Sequence, residues 1–259
     1  MDKMTTESLK MIDVTKDNVY KETLFCIKDI KKPGFESKRK WFEKRLDEGL
    51  SLRILKNEAD KMIGFIEFIP VSKAWRPVEG DDFLFIHCMY VYSKKDRNVG
   101  YGTMLIQEAE KEAKKLDMSG VCVMTSHGSW IANKSIFEKY GFTQVDKRGR
   151  FELLSKKWNT AANDPKLLDW TEKQKQYQGW HLVYADQCPW HEKSAFDLLN
   201  TAMDFDIELK LTKLETSEDA KNAPSGFGVF SLLHNGKLID DHYLSATRFK
   251  NILKKELKL

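Results

Sequence analysis

Arg97-Asn98-Val99-Gly100-Tyr101-Gly102-Thr103 is the stretch of this chain with the clearest chemical meaning. It follows an apolar run, Phe83 to Tyr92, and opens a long amphipathic segment, Tyr101 to Leu116. A strand that turns through two glycines into a helix presents unpaired backbone N–H groups at the positive end of a helix dipole. Such an end favours a phosphate, and Gly100 and Gly102 let the backbone approach without a Cβ in the way. A pyrophosphate is the ligand this predicts. A second chemical candidate is Glu67, a carboxylate that interrupts the apolar strand Ile63 to Pro70. It either faces a cleft, where it can act as a base, or points to solvent.

Three nucleotide motifs compete for the loop. The dinucleotide fingerprint needs a third glycine where Leu105 stands, and an acidic residue ending the next strand, which Val121 to Thr125 lacks. A Walker loop is absent. R-x-x-G-x-G fits, and it resembles the pyrophosphate loop of the GNAT (GCN5-related) N-acetyltransferases. Asn133 to Tyr140 followed by Gly141-Phe142 is similar to the short family helix that ends in a Gly-Phe pair. The resemblance covers residues 1–158 and implies a mixed α/β sheet that binds acetyl-CoA as co-substrate where two parallel strands splay. It places Met89, Tyr90 and Val91 along the pantetheine arm and residues 97–103 on the diphosphate. The implied reaction is direct attack of a neutral primary amine on the thioester.

That chemistry needs a route for the ammonium proton and donors for the developing oxyanion. Glu67 is the preferred base; His87, on the central strand, ranks below it as a group able to titrate near neutrality or a satisfied structural one. The family pattern supplies a tyrosine acid and an asparagine, but registered on Gly141-Phe142 those places hold Phe137 and Trp130. Asn133, as a cofactor contact, and Tyr140, as an acid or a packing residue, stand near enough to substitute. Trp75 and Arg76, in the segment after the Glu67 strand, suit an acceptor bearing a carboxylate.

Periodicity supplies the elements that position these residues. Ser8 to Val14 reads as a strand, Asn18 to Ile30 and Ser37 to Glu48 as helices. Leu52 to Lys56, Met62 to Val71 and Phe83 to Tyr92 read as a meander. Tyr101 to Leu116 is a helix, Val121 to Thr125 a strand, and Thr143 to Leu154 closes the set. Polar, poorly periodic residues 159–179 read as a linker.

Residues 180–259 read as a second, smaller domain. His181 to Ala185 is a strand, and Trp190 to Met203 a helix with Ala195, Phe196, Leu199 and Met203 inward. Ile207 to Leu214 alternates as a half-buried strand. Asn235-Gly236 joins a hairpin, and Ser245 caps a last helix with Phe249, Ile252, Leu253 and Leu257 inward. The order βαβ-ββα resembles a thioredoxin-like domain, with Cys188 at the strand-to-helix turn before Pro189. A GNAT module joined to such a domain resembles the YoaP-type acetyltransferases. His191 occupies the second position of C-x-x-C, and Gly228 the place of the usual cis-proline, which argues against dithiol exchange. Cys188 is either an activated thiol at the substrate or an inherited structural one.

A net charge of +4 on 43 basic and 39 acidic residues is mild, so nucleic acid is not an expected partner. No apolar run reaches membrane-spanning length, and the start carries no hydrophobic signal region, so no membrane association and a cytoplasmic setting are expected. Four widely spaced cysteines give neither a disulfide framework nor a zinc pattern, and no metal is implied. The leading expectation is an N-acetyltransferase acting on a small-molecule amine, with a homodimer possible. The alternative is an acyl-CoA-binding, thiol- or metal-sensing protein that uses Cys188 with little turnover.

Overall fold

The computed structural model describes residues 8–93, 95, 99–128 and 130–258. In chain order the first unit comprises β1 (Lys10–Asp13), α1 (Val19–Glu22), α2 (Pro33–Leu46), β2 (Ser51–Lys56), β3 (Met62–Pro70), β4 (Val78–Glu79) and β5 (Phe83–Val91). It continues with α3 (Tyr101–Lys115), β6 (Gly120–Ser126), α4 (Ser135–Glu138), β7 (Thr143–Arg148) and β8 (Phe151–Lys157). These build a seven-stranded mixed sheet in the order β1-β2-β3-β5-β6-β8-β7.

Alternation along the central strands divides the sheet into two faces. Ile66, Phe68, Leu84, Ile86, Val121 and Val123 point to one face and pack under Leu105, Ile106, Ala109 and Ala113 of α3. Arg53, ion-paired to Asp13 and Glu108 at 2.5 Å each and to Glu112, fastens α3 to this face. Phe65, Ile69, Phe83, Phe85, Cys122 and Met124 point to the other face, toward α2. Glu67 and His87 lie on that second face by the same count.

The helix expected over residues 18–30 stops at Glu22. A helix there would carry Val19, Leu24, Phe25 and Ile27 around more than half of its circumference. Instead Thr23 and Phe25 take positive φ of 62° and 55°, and Leu24, Phe25 and Ile27 are all buried. The closing segment, Thr143 to Leu154, is a hairpin that turns at Gly149 (φ +57°).

Residues 159–179 are pinned rather than loose. β9 (Lys166–Leu167) pairs with β4, and α5 (Thr171–Gln174) follows. Trp170 is buried edge-on against Phe151, and Arg148 pairs with Asp169 at 3.0 Å.

The second unit comprises β10 (Trp180–Tyr184), α6 (Pro189–Met203), β11 (Leu209–Lys213), α7 (Ser217–Lys221), β12 (Phe230–His234), β13 (Lys237–Asp240) and α8 (Ala246–Glu256). Its sheet runs β11-β10-β12-β13, with β10 parallel to β11 and antiparallel to β12. α7, closed by a Thr216–Asp219 capping box, was not expected. On α6 the buried row is Ala195, Leu198 and Ala202 with His191 and Ser194, while Phe196 and Met203 are exposed. Small and polar residues form that row, and the Ser194 hydroxyl donates to the Leu244 carbonyl at 2.7 Å. The expected inward Leu257 follows α8 and is exposed.

The two units share one apolar core. Glycines make their close approach possible. A Cβ on Gly34 of α2 would stand 2.0 Å from the Pro189 carbonyl oxygen of α6. Gly228, at φ +77°, would put one 3.1 Å from the Arg76 Cα and the Trp75 carbonyl. No described helix is long and apolar enough to cross a membrane.

Candidate active site

β5 and β6 pair in parallel only from Phe83–Gly120 to Ile86–Val123. Beyond that point β5 continues against β3 to Val91, and β6 continues against β8 to Ser126. The strands part because the β3–β5 register shifts there: Glu67 faces Cys88 and Phe68 faces Ile86, so His87 is an inserted residue. Cys88 to Val91 thus border the gap on an edge that makes no ladder with β6. Met89, Tyr90 and Val91, the expected pantetheine wall, lie on this edge.

Arg97 and Asn98 of the expected diphosphate loop lie outside the described residues. Val99 is exposed, and Gly100 caps α3 in the left-handed region at φ +96° with open space around it. Gly102 has a packing reason besides: a Cβ there would meet Ile136 of α4 at 2.8 Å. The Thr103 hydroxyl, in the first turn of α3, is hydrogen-bonded to Tyr140. The helix end and the open strand edge suit an extended chain with an anionic head.

A cavity of about 500 Å³ begins in this gap, bordered by Met89, Tyr90 and Phe137, and ends against the second unit. At its centre lies Glu67, 2 % exposed. Lys38 of α2 donates to Oε2 at 2.5 Å, Gln187 donates to Oε1 at 3.0 Å, and His87 Nδ1 stands 3.3 Å from Oε1. Burial pushes the Glu67 carboxyl up, but Lys38 and His87 outweigh it and hold it at about 2. The carboxylate is therefore ionised and a weak proton acceptor, which speaks against the expected role as base.

His87 Nε2 accepts the Trp75 backbone N–H at 2.9 Å, so the ring proton belongs on Nδ1, facing Glu67. Burial drives the imidazole down to about 4, against the attraction of Glu67. The expected titration near neutrality does not hold; His87 is neutral and structural in its hydrogen bonding.

Arg76 is 5 % exposed and lines the cavity. Its Nη1 donates to the Trp75 carbonyl and to Gln187 Oε1, each at 2.8 Å, and the guanidinium lies 4.8 Å from the Phe227 ring centre. Burial lowers it to about 10, so it stays charged at neutral pH. Among the described residues no carboxylate lies within ion-pairing distance of it.

Trp75 does not reach the cavity. Its ring is fully buried, edge-on to Trp41 at 5.1 Å and beneath the Arg45 guanidinium at 4.9 Å. It acts through its backbone, on His87 and Arg76. Tyr140 also lies away from the cavity lining, because the helix it follows is a single turn and its hydroxyl is engaged by Thr103. Phe137, at the family's acid position, does line it. Asn133 is exposed just ahead of α4, and its Oδ1 accepts the Ser135 N–H at 2.9 Å.

Cys188 lines the cavity at the start of α6, and so do Cys26 and Cys88. Burial raises Cys188 to about 11 despite a hydrogen bond from the Trp190 backbone, and Cys88 to about 12. The helix-terminus activation envisaged for Cys188 is thus outweighed, and it is a protonated thiol. Lys38, Gln187, Cys26 and Cys88 were not singled out from the sequence. Lys38 shares α2 with four other basic residues, Arg39, Lys40, Lys44 and Arg45, with nothing local to mark it. Among the described residues one group brings metal-type ligands together, Asp240, Asp241 and His242. Arg248 and Arg150 already pair with its carboxylates.

Residues 17–142 match the acetyltransferase (GNAT) family, and residues 208–251 match the YoaP-like family. The chain thus carries a GNAT acetyltransferase domain joined to a YoaP-like one. It is similar to the uncharacterized N-acetyltransferase YoaP of Bacillus subtilis (strain 168), at 26% identity over 248 residues, covering 93% of this chain and 97% of that protein. Similar solved structures include a GNAT-family acetyltransferase from Staphylococcus aureus MU50, with TM-score 0.43 and 17% identity over 57% of this chain and 99% of that one. Another is the PaiA N-acetyltransferase from Thermoplasma acidophilum in complex with coenzyme A, with TM-score 0.39 and 17% identity over 58% and 99%.

Proposed function

We propose that the protein transfers an acetyl group from acetyl-CoA to a primary amine of a small molecule, inside the cavity shared by its two units. The observation that carries this reading is the continuity of that cavity, from the parted strands β5 and β6 to the charged cluster around Glu67. The open edge of Cys88 to Val91 and the N-terminus of α3 would hold the cofactor, which supplies the activated acyl group.

This chain's own groups act as fixed charges rather than proton carriers. Glu67, His87, Cys88 and Cys188 are each driven away from neutral pH, and Arg76, though lowered by burial to about 10, stays charged there. The acceptor amine must therefore reach the thioester already neutral, or shed its proton to water. The second unit forms the acceptor wall through Gln187, Cys188 and Phe227. Its strand order, with α6 between the parallel pair, supports reading it as thioredoxin-like in architecture without dithiol chemistry, and the raised Cys188 weighs against a thiol-sensing role.

The test is release of coenzyme-A thiol from acetyl-CoA with a panel of primary amines. Turnover that rises with pH along each amine's own ionisation supports the reading. Tight acetyl-CoA binding with no turnover on any amine would reject it in favour of a binding protein.

A further inference from the structure

We propose that the acceptor is an aminocarboxylate, a small amine bearing one carboxylate that pairs with Arg76. This rests on the cavity being the acceptor site of an acetyltransferase.

The argument is a charge count along the cavity lining, at the buried end where Glu67 and Arg76 lie. Lys38 and Glu67 cancel one another at 2.5 Å. His87 and His191 are neutral, since burial drives them down to about 4 and about 3, and Cys88 and Cys188 are neutral thiols. Arg76 is left as the one uncompensated charge among the described lining residues. A buried cation without a counter-ion is costly, and proteins keep such groups where a ligand supplies the missing charge. Asp186, the nearest acidic residue in sequence to Gln187, does not supply it, being paired with Lys213 at 2.5 Å.

The geometry also limits the kind of anion. Nη1 is occupied by two acceptors, Trp75 O and Gln187 Oε1, which hold the guanidinium plane in place. Nε and Nη2 have no partner among the described residues. That open edge offers two parallel N–H donors, the fork that a carboxylate accepts. One positive charge balances one negative charge, so a dianionic phosphate would leave the cavity negative. Phe65, Trp190, Phe227 and Val229 line the same cavity and suit an apolar body between amine and carboxylate.

The experiment uses the full chain and matched probes: amino acids, their carboxamides and the corresponding amines without the carboxyl group. Release of coenzyme-A thiol should show kcat/KM about tenfold or more higher for each acid than for its carboxamide. Arg76→Met should bring that ratio toward one. A second readout is independent of turnover: N-acetyl amino acids, as products, should raise Tm more than their carboxamides in the wild type. Arg76→Met should keep or raise the Tm of the free protein, because it removes an unpaired buried charge, where a structural arginine would lower it. Turnover in which carboxamides equal or exceed the acids overturns this inference and leaves the acetyltransferase reading standing. No turnover together with equal Tm shifts for acids and carboxamides overturns both.

Discussion

Gln187 of the second unit donates to Glu67 Oε1 at 3.0 Å and accepts from Arg76 Nη1 at 2.8 Å, joining residues 120 and 111 positions away in the chain. One buried amide thus fixes both the carboxylate and the guanidinium of the first unit. Gln187→Leu keeps the volume but removes both bonds, and leaves Arg76 held by the Trp75 carbonyl alone. The expected result is a loss of about 1–3 kcal/mol in stability. KM for the amine should rise by about tenfold, since misplacing a binding group by a fraction of an ångström weakens every contact it makes. The Kd for acetyl-CoA should move less than the KM for the amine, because Gln187 borders only the space proposed for the acetyl end of the cofactor, next to Glu67. Equal steady-state constants for variant and wild type would show that the second unit is only a neighbour.

The Lys38–Glu67 pair calls for a double-mutant cycle. Glu67→Gln leaves the Lys38 ammonium buried and unpaired beside Arg76. Breaking a buried pair from one side costs about 3–5 kcal/mol. Lys38→Met combined with Glu67→Gln should recover most of that, because the charge goes together with its partner. Denaturant midpoints of the two single variants and the double one measure this. Additive losses would mean that the two groups do not interact as their separation indicates.

Acid should unfold the protein in two stages. His87 and His191 are neutral in the fold, driven down to about 4 and about 3, whereas an unfolded imidazole protonates near 6.5. Below 6.5 the unfolded chain binds more protons than the folded one, so stability falls as pH drops toward 4. Each imidazole contributes on the order of 2–3 kcal/mol to that loss. Glu67 adds the second stage. Its carboxylate, held at about 2 against an ordinary 4.5, stabilises the fold above 4.5, and that contribution disappears as pH falls toward 2. Unfolding midpoints from pH 8 to 3 check this, and a midpoint that climbs between pH 7 and 5 would contradict it.

The glycine contacts predict how the units are held together. Gly34→Ala places a methyl group 2.0 Å from the Pro189 carbonyl oxygen, which cannot be accommodated without moving α6 away from α2. Overpacking of this kind costs about 1–3 kcal/mol. The displaced α6 carries the half-buried Cys188, so its alkylation should speed up severalfold, while Cys26 and Cys88, already exposed, should react at nearly unchanged rates. Mass spectrometry reads the sites separately. An unchanged rate at Cys188 with an unchanged Tm would mean that α2 and α6 do not pack as described.

Much of the first unit was legible in the sequence because its signals are local. The period-two strands, the glycines at the start of α3 and the Gly141-Phe142 pair each follow from neighbouring residues. Glu67 was legible for the same reason, as a lone carboxylate in an apolar strand. Its partners were not. Lys38 and Gln187 reach it from a helix and from a turn of the other unit, and no short window holds that information. Trp75 and Arg76 are adjacent in sequence, yet one is packed beneath Arg45 and the other faces the cavity, a division set by the bend at Pro77 and the approach of Gly228. The helix expected past Glu22 failed on backbone geometry, since two positive φ values at Thr23 and Phe25 leave no mark in residue type. The inward face of α6 was misread because tight packing selected Ala195, Ala202 and Ser194 over the larger Phe196 and Met203.

A crystal structure of the full chain with acetyl-CoA tests most directly whether two units build one reaction chamber. The cofactor should run along Cys88 to Val91, with its acetyl group in the space bounded by Glu67 and His87 on one side and Gln187 and Cys188 on the other. Density for the acetyl group outside that space, or a cofactor bound with the second unit swung away from Arg76, would contradict it.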